Sequence, residues 1–479
     1  MLLENLPYPE DVRVRFEAQS LARAGHHVTV VAPRAPEQPR RDHIAGVNVV
    51  RYRRPDGSRH GRASFIFEYL VAGIALHLAA LRQLVGGATV LHLHNPPDVL
   101  FPAGALYRLL GRKVMFDHHD LFPDTVELKF GRGLMSRIGR FCQRMTFAVA
   151  NHVISTNASY ARIAVAEGRH DRQAVTIVRN GPPSAWTQLA LRQRDGSLDD
   201  VHLAYLGRIS AQDGLDGIVP VIAHLCREGS PVEARLTVIG DGDARPEVER
   251  QLAELGLADR VSFTGLVPHR RIPELLRSAD ICVDPAPATE VNERSTMTKI
   301  SEYLALGKPV VAYDLLETKR TVGDAGLLVP RGDIGAFAQA IVALATDSAL
   351  RRRLGQRARD RAAASLTWEH SEPALLAAYA ALRTDSPKTP RGATSASSAR
   401  RRRDRPAALG ALVAVAVAAI VGLTPTGAPV AVGKGRFGAS VRPAPRDGFT
   451  GLDGTVHHSA TLHMSHSDLT DRANRRARL

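Results

Sequence analysis

The chain has 479 residues, more than one hydrophobic core usually organises, so two domains plus additional segments are expected. With 44% hydrophobic and 23% charged residues it has the composition of an ordinary water-soluble α/β protein. The net charge of +15 suggests a nucleic-acid binder, but from Thr384 onward 15 Lys/Arg face 6 Asp/Glu, so nine of those charges sit in a tail and only +6 remain for the rest. Those tail charges flank an apolar run and lack interleaved aromatics for base stacking, so nucleic acid is not an expected partner.

Met1-Leu2-Leu3-Glu4 reads as the last residues of a strand that looks clipped, and no secretory signal opens the sequence. Strand patterns then follow at Val28–Ala32, Val47–Tyr52, Val90–His94, Lys113–Asp117, His152–Ser155 and Val175–Val178. Helical stretches such as Val14–Ala24 and Phe65–Leu84 lie between them. The second of these is unusually apolar, with Phe67, Leu70, Ile74, Leu78 and Leu81 among its residues. A well-buried helix is the favoured reading, and contact with a membrane or lipid acceptor is the alternative. Asn180-Gly181-Pro182-Pro183 supplies a turn and a domain boundary. A second strand series runs Val201–Leu206, Ala234–Ile239, Val261–Thr264, Ile281–Asp284, Pro309–Tyr313 and Leu327–Val329. Repeated strand–helix alternation predicts two doubly wound parallel sheets, over 1–183 and 184–365. The helix Trp368–Leu382, within 366–383, would cross back onto the first domain. Residues 384–479 read as basic disordered linker, then the apolar run 407–423, at the lower edge of length for a bilayer span and open to reading as a membrane anchor or a signal-like region, then an unassigned tail. Cys142, Cys226 and Cys282 stand far apart, without disulfide or metal-ligand spacing.

Ligands of doubly wound folds bind beyond the carboxyl ends of the strands. Leu206-Gly207-Arg208, followed by Asp213-Gly214, offers a close backbone approach and a cation suited to a diphosphate, though a surface turn would look the same. Ile239-Gly240-Asp241-Gly242-Asp243 is read as a glycine turn, not a metal motif, because no further carboxylates or histidines accompany it. The segment Asn292–Pro309 reads as a loop, a helix starting near Ser295 and a stop at Gly307. The free N–H groups of such a helix suit a diphosphate, with Lys299 and Glu302 on one face near that end; a capped surface helix with a local ion pair is the plain alternative.

These motifs, with Asn180-Gly181, Phe263-Thr264-Gly265, Ala279-Asp280 and Arg23-Ala24-Gly25-His26-His27-Val28-Thr29-Val30, resemble the retaining family-4 glycosyltransferases of the GT-B fold, over residues 1–383. Their order and spacing look closest to bacterial members of surface-polysaccharide assembly, through Asn292-x-x-Ser295-Thr296-Met297-x-Lys299-x-x-Glu302-Tyr303. The resemblance implies two Rossmann-like domains facing a cleft, a nucleoside diphosphate sugar as substrate, no cofactor, and no metal. It implies that Glu302 binds the donor ribose, that Arg208 meets the diphosphate, and that His119 faces the sugar. Gly207, Gly240, Asp241, Ser295, Thr296 and Met297 fall at donor-binding positions, and Asp11, Arg13, Asn95 and Asp98 on the acceptor side. Arg294 replaces the first glutamate of the family's E-x7-E pattern, and Asp213 stands where a lysine partners the arginine; Lys299 is expected to supply that charge.

The implied reaction moves a hexose to a sugar or lipid-linked glycan acceptor with retention, in the cytoplasm or at the inner face of the plasma membrane, with domain closure completing the site. Two competing readings stand beside it: a catalytically inactive subunit of a polysaccharide assembly complex, and a sugar-nucleotide epimerase or phosphorylase on the same fold.

Overall fold

The computed structural model describes residues 1–54, 62–96 and 98–384. The expected linker, the apolar run 407–423 and the tail lie outside the described residues, as does Pro97 of the Asn95–Asp98 motif.

The strands are β1 (Thr29–Pro33), β2 (Arg41–Ile44), β3 (Val47–Tyr52), β4 (Val90–His94), β5 (Lys113–His118), β6 (His152–Ser155) and β7 (Val175–Ile177). The second series is β8 (Asp200–Leu206), β9 (Glu233–Ile239), β10 (Val261–Phe263), β11 (Ile281–Asp284), β12 (Val310–Tyr313) and β13 (Gly326–Val329). They form two separate sheets, each parallel apart from β2, which pairs antiparallel with β3. The second sheet runs β10-β9-β8-β11-β12-β13. Both are doubly wound, which is the two-domain α/β architecture of the GT-B fold. β2 carries no alternating apolar signature, its burial running from exposed to half-buried, and so escapes sequence reading.

In the first sheet, β2-β3-β1 and β4-β5-β6-β7 meet through a single residue. Leu2 bridges in parallel to Val31 of β1 and to Leu93 of β4; its N–H donates to the His92 carbonyl and that of Leu3 to the Val31 carbonyl, both at 2.9 Å. β1 and β4 are therefore bridged at that point by the short opening segment.

Burial separates the faces of this sheet. On one, Leu76, Ala80, Tyr107, Phe147 and Ala164 from four helices pack on Leu91, Leu93 and Phe116. On the other, Val14 and Leu21 of the helix Val12–Arg23 join Trp368, Leu375 and Tyr379 of the helix Trp368–Thr384 over Val30, Val49 and Met115. The chain passes between the sheets twice, before residue 184 and after Leu366, and the passages touch: the Trp368 N–H donates to the Pro182 carbonyl at 2.9 Å. A Cβ on Gly181 would lie 2.1 Å from the Leu366 carbonyl oxygen, so only glycine allows this approach. The Trp368 indole N–H then donates to the Ser20 hydroxyl at 3.0 Å, anchoring the last helix to the first-domain side.

The apolar helix, Arg62–Val85, is buried on one face only, through Ala72, Leu76 and Ala80, while Phe67, Leu70, Ile74, Leu78, Leu81 and Val85 are exposed. The favoured expectation of a well-buried helix therefore fails: a largely apolar sequence hid a two-faced helix, because period carries little contrast when polar positions are so few.

Candidate active site at the facing strand ends

The carboxyl ends of β4 and β5 carry a fully buried polar cluster. Asp117 receives both arms of the Arg13 guanidinium, at 2.7 and 2.6 Å, and lies 2.9 Å from His94 Nδ1 and 3.0 Å from His119 Nδ1. Burial opposes the ionised form of Asp117, but Arg13 and then His119 outweigh it and hold the carboxyl well below the usual range. Glu17 does the reverse: burial first, then the neighbouring Asp117, push its carboxyl well above the usual range. Burial also lowers His92 and His94, leaving both rings neutral. Ligand atoms of Glu17, His92, His94 and Asp117 lie within 4.8 Å of one another. The Arg13 guanidinium already rests on both carboxylates, 3.1 Å from Glu17 Oε1, so a cation there would meet a fixed positive charge.

This cluster orients His119. Asp117 fixes its Nδ1, the Asn95 side chain accepts from its backbone N–H at 2.9 Å, and the ring keeps some exposure. The residues expected on the acceptor side are largely buried. Asp11 caps its helix by accepting from the Val14 N–H at 2.9 Å, and Arg13, Asn95 and Asp98 are, like it, less than 9% exposed. Asp98 is 1% exposed and burial holds its carboxyl well above the usual range.

Across the cleft, the 292–309 segment differs from expectation. Glu290–Arg294 is a short helix capped by Thr289, Ser295 closes it, and a separate helix starts at Thr298 with Met297 at its N-cap. The expected helix start near Ser295 is thus displaced by three residues, because the Ser295 hydroxyl donates back to the Val291 carbonyl at 2.7 Å rather than capping forward. The loop between the two helices meets the first domain. Asn157 Nδ2 donates to the Arg294 carbonyl (2.8 Å) and the Thr296 hydroxyl (3.0 Å), and the Tyr160 and Ser295 hydroxyls lie 2.9 Å apart. Asn180 accepts from Arg13 at 2.7 Å and reaches Thr298 Oγ1 at 3.5 Å, so polar contacts run from His119 to the start of the Thr298–Ala305 helix.

Lys299 is buried beneath the β8 turn. Its ammonium lies 3.0 Å from the Tyr205 hydroxyl, 3.3 Å from Asp213 and 3.4 Å from Asp284. Burial works to lower its pKa, but Tyr205, Asp284 and Asp213 together hold it well above its usual value. A Cβ at Gly207 would sit 3.0 Å from Lys299 Nζ, which places the charge directly behind that glycine. Arg208 is largely exposed, 3.7 Å from Asp243. Asp241 turns inward to accept from the Gly242 N–H at 2.8 Å. Glu302 lies a turn beyond Lys299, with Oε1 3.7 Å from His269 Nε2, and the His269 ring stacks on Trp186 at 5.1 Å. Sequence reasoning missed Asp117, Asn157, Tyr160 and His269. Asp117 was the findable one, since it closes the strand pattern Lys113–Asp117, at the end where ligands of doubly wound folds bind.

The Gly207 and Gly240 turns are in backbone contact. Gly240 has φ +142°, and a Cβ there would come within 1.9 Å of the Gly207 carbonyl oxygen. Gly240→Ala is expected to destabilise the protein by about 2–4 kcal/mol in a denaturant titration, because backbone must move on both turns.

Residues 11–181 match the family model described as glycosyl transferase 4-like domain, and residues 200–347 match that described as glycosyl transferases group 1. The chain is 31% identical over 170 residues to the alpha-D-kanosaminyltransferase of Streptomyces kanamyceticus, covering 35% of this chain and 42% of that one. It is 32% identical over 251 residues to the D-inositol 3-phosphate glycosyltransferase of Stackebrandtia nassauensis, covering 50% and 55%. The chain thus spans about half the length of the relatives it matches. Among solved structures, sucrose-phosphate synthase from Thermosynechococcus elongatus superposes with a TM-score of 0.62 at 21% identity, over 80% of this chain and 99% of that one. Anabaena Alr3699/HepE in complex with UDP-glucose superposes at 0.58 and 14%, over 79% and 99%. The fold is GT-B, and the two matched stretches cover both of its sheets. The chain belongs to the family-4 glycosyltransferases.

Proposed function

We propose that the protein transfers a hexosyl group from a nucleoside diphosphate sugar to a hydroxyl of a sugar or lipid-linked glycan acceptor, with retention at the anomeric carbon. The observation that carries this reading is the meeting of the Arg294–Thr298 loop with Asn157, Tyr160 and Asn180, which brings the His119 side of the first sheet against the Lys299 side of the second.

The diphosphate would lie on the Gly207–Gly240 backbone, before the N–H groups at the start of the Thr298–Ala305 helix. Lys299 would stabilise the departing charge from behind Gly207, with Arg208 free to swing from solvent onto the phosphates. Glu302 would hold the ribose. His119, its Nδ1 tied to Asp117, would present Nε2 to the sugar, and domain closure would exclude water. Lys299 thereby takes the charge role that Asp213 cannot fill.

The name of the Stackebrandtia relative points to a narrower acceptor class, since inositol phosphate is a polyhydroxylated ring. A soluble cyclitol acceptor is therefore the second reading beside the surface-polysaccharide one. A donor screen tests the core proposal: calorimetric titration of the full chain with UDP, GDP, ADP and TDP, with and without a chelator. One nucleotide is expected to bind without metal, and Glu302→Ala to weaken it by roughly 10–100-fold through the lost ribose hydrogen bonds. Absence of binding by all four would sink the transferase reading. Turnover of the bound donor only when an acceptor is added would separate transfer from epimerisation and from an inactive subunit.

A further inference from the structure

Three helices lie side by side over one face of the first sheet: Arg62–Val85, Phe101–Leu109 and Leu134–Val149. The Tyr107 hydroxyl donates to the Ala80 carbonyl at 2.9 Å, joining the first to the second. Phe101 and Phe141 meet edge-on at 6.2 Å, joining the second to the third.

Their outer surfaces are not those of an ordinary solvated layer. On the first helix Phe67, Leu70, Ile74, Leu78, Leu81 and Val85 are 43–89% exposed, at spacings of three and four that place them on one stripe about 27 Å long. No charged residue occurs from Leu70 through Leu81. On the third helix Leu134, Ile138 and Phe141 are 72, 49 and 48% exposed, and the exposed Arg137 and Arg144 alternate with them. That helix carries three arginines and no acidic residue, and of the three only Arg140 is tied down, by Glu127. Uncovered apolar side chains interleaved with arginines suit the boundary between acyl chains and anionic headgroups. The helix Phe67–Val85 has the length and composition of a membrane span, but its Ala72–Leu76–Ala80 face is committed to the sheet, which fits it to lie in the interface rather than to cross.

We propose that this three-helix face is a docking surface for an anionic lipid bilayer. The helices' N-termini lie at the carboxyl edge of the strands, and Tyr69 packs on Phe122 at 5.7 Å two positions beyond Asp120, so docking sets the cleft rim at the lipid surface. The proposal stands apart from the transferase reading, since lipid binding needs neither donor nor acceptor.

The test is flotation of the full chain with vesicles of phosphatidylcholine alone or mixed with phosphatidylglycerol, nucleotide binding being measured separately. Wild type is expected to partition at least tenfold better onto the anionic vesicles. Ile74→Glu with Leu78→Glu, and Arg137→Glu with Arg144→Glu, should each lower that partitioning tenfold or more while thermal melting and nucleotide binding stay unchanged. Should the glutamate pair on the first helix impair folding, Ile74→Ser with Leu78→Ser gives the same readout. Every variant retains residues 385–479, so folded variants that float like wild type would assign lipid binding to that segment and overturn the proposal. Wild type that ignores charged lipid, or that self-associates through Ile74 and Leu78 without binding vesicles, would overturn it equally.

Discussion

Lys299→Met is expected to lower donor-dependent turnover by roughly 10²–10³-fold, the loss seen when one preorganised donor to a developing negative charge is removed. The substitution keeps the length of the side chain and deletes only the ammonium. That ammonium is the one positive group within 3.4 Å of Asp213 and Asp284 among the described residues, and Asp284 is 1% exposed. Without it, two carboxylates would face the Gly207 turn and repel a diphosphate. Stability is expected to fall by about 3 kcal/mol, because buried Asp284 loses its ionic partner. Asp213→Asn should be far milder, because Asp213 is partly solvated and its removal leaves Lys299 paired with Asp284. A Lys299→Met protein with wild-type kcat/KM would show that this buried charge serves the fold alone.

Arg13→Met is expected to have the largest effect on stability, about 3–5 kcal/mol, because it strands Asp117 as a buried charge. If the first domain, residues 1–183, unfolds as a unit, that lowers its Tm by roughly 10 °C. Asp117 is held below the ordinary carboxylate range, so its contribution is present above that range and fades as pH falls through its native pKa. The variant should lose this acid-side dependence. Pairing Arg13→Met with Asp117→Asn should recover part of the stability, since the stranded charge is gone, but not the turnover, since His119 loses its Nδ1 partner. A double variant no more stable than Arg13→Met alone would contradict the assignment.

Most strands were readable in the sequence because parallel sheets covered on both faces require short β-branched or apolar runs, and Val47–Tyr52, Val90–His94 and Ile281–Asp284 are such runs. Lys299 and Glu302 could be singled out because a helix start marks itself by glycine and polar punctuation, whereas His119 was reached only through the family resemblance. What stayed hidden was relational. Nothing local to Asn157, Tyr160 or Asn180 says that they reach across more than a hundred residues to Arg294, Ser295 and Thr298. The burial of Asp11 and Arg13 was hidden for a similar reason: they look like exposed loop polars until a helix cap and a buried carboxylate claim them. The Ser295 helix start failed because a serine can bond backward as readily as forward.

The two passages between the sheets bear on how the cleft can move. Because they are bonded together at Trp368 and Pro182, with Gly181 pressed on Leu366, they behave less like two separate tethers than like a single hinge pin. A pin permits swinging about its own line and resists sliding or twisting of one half on the other. The halves can therefore open like a door, so that however wide the cleft gapes, Lys299 and His119 return along the same arc each time it shuts.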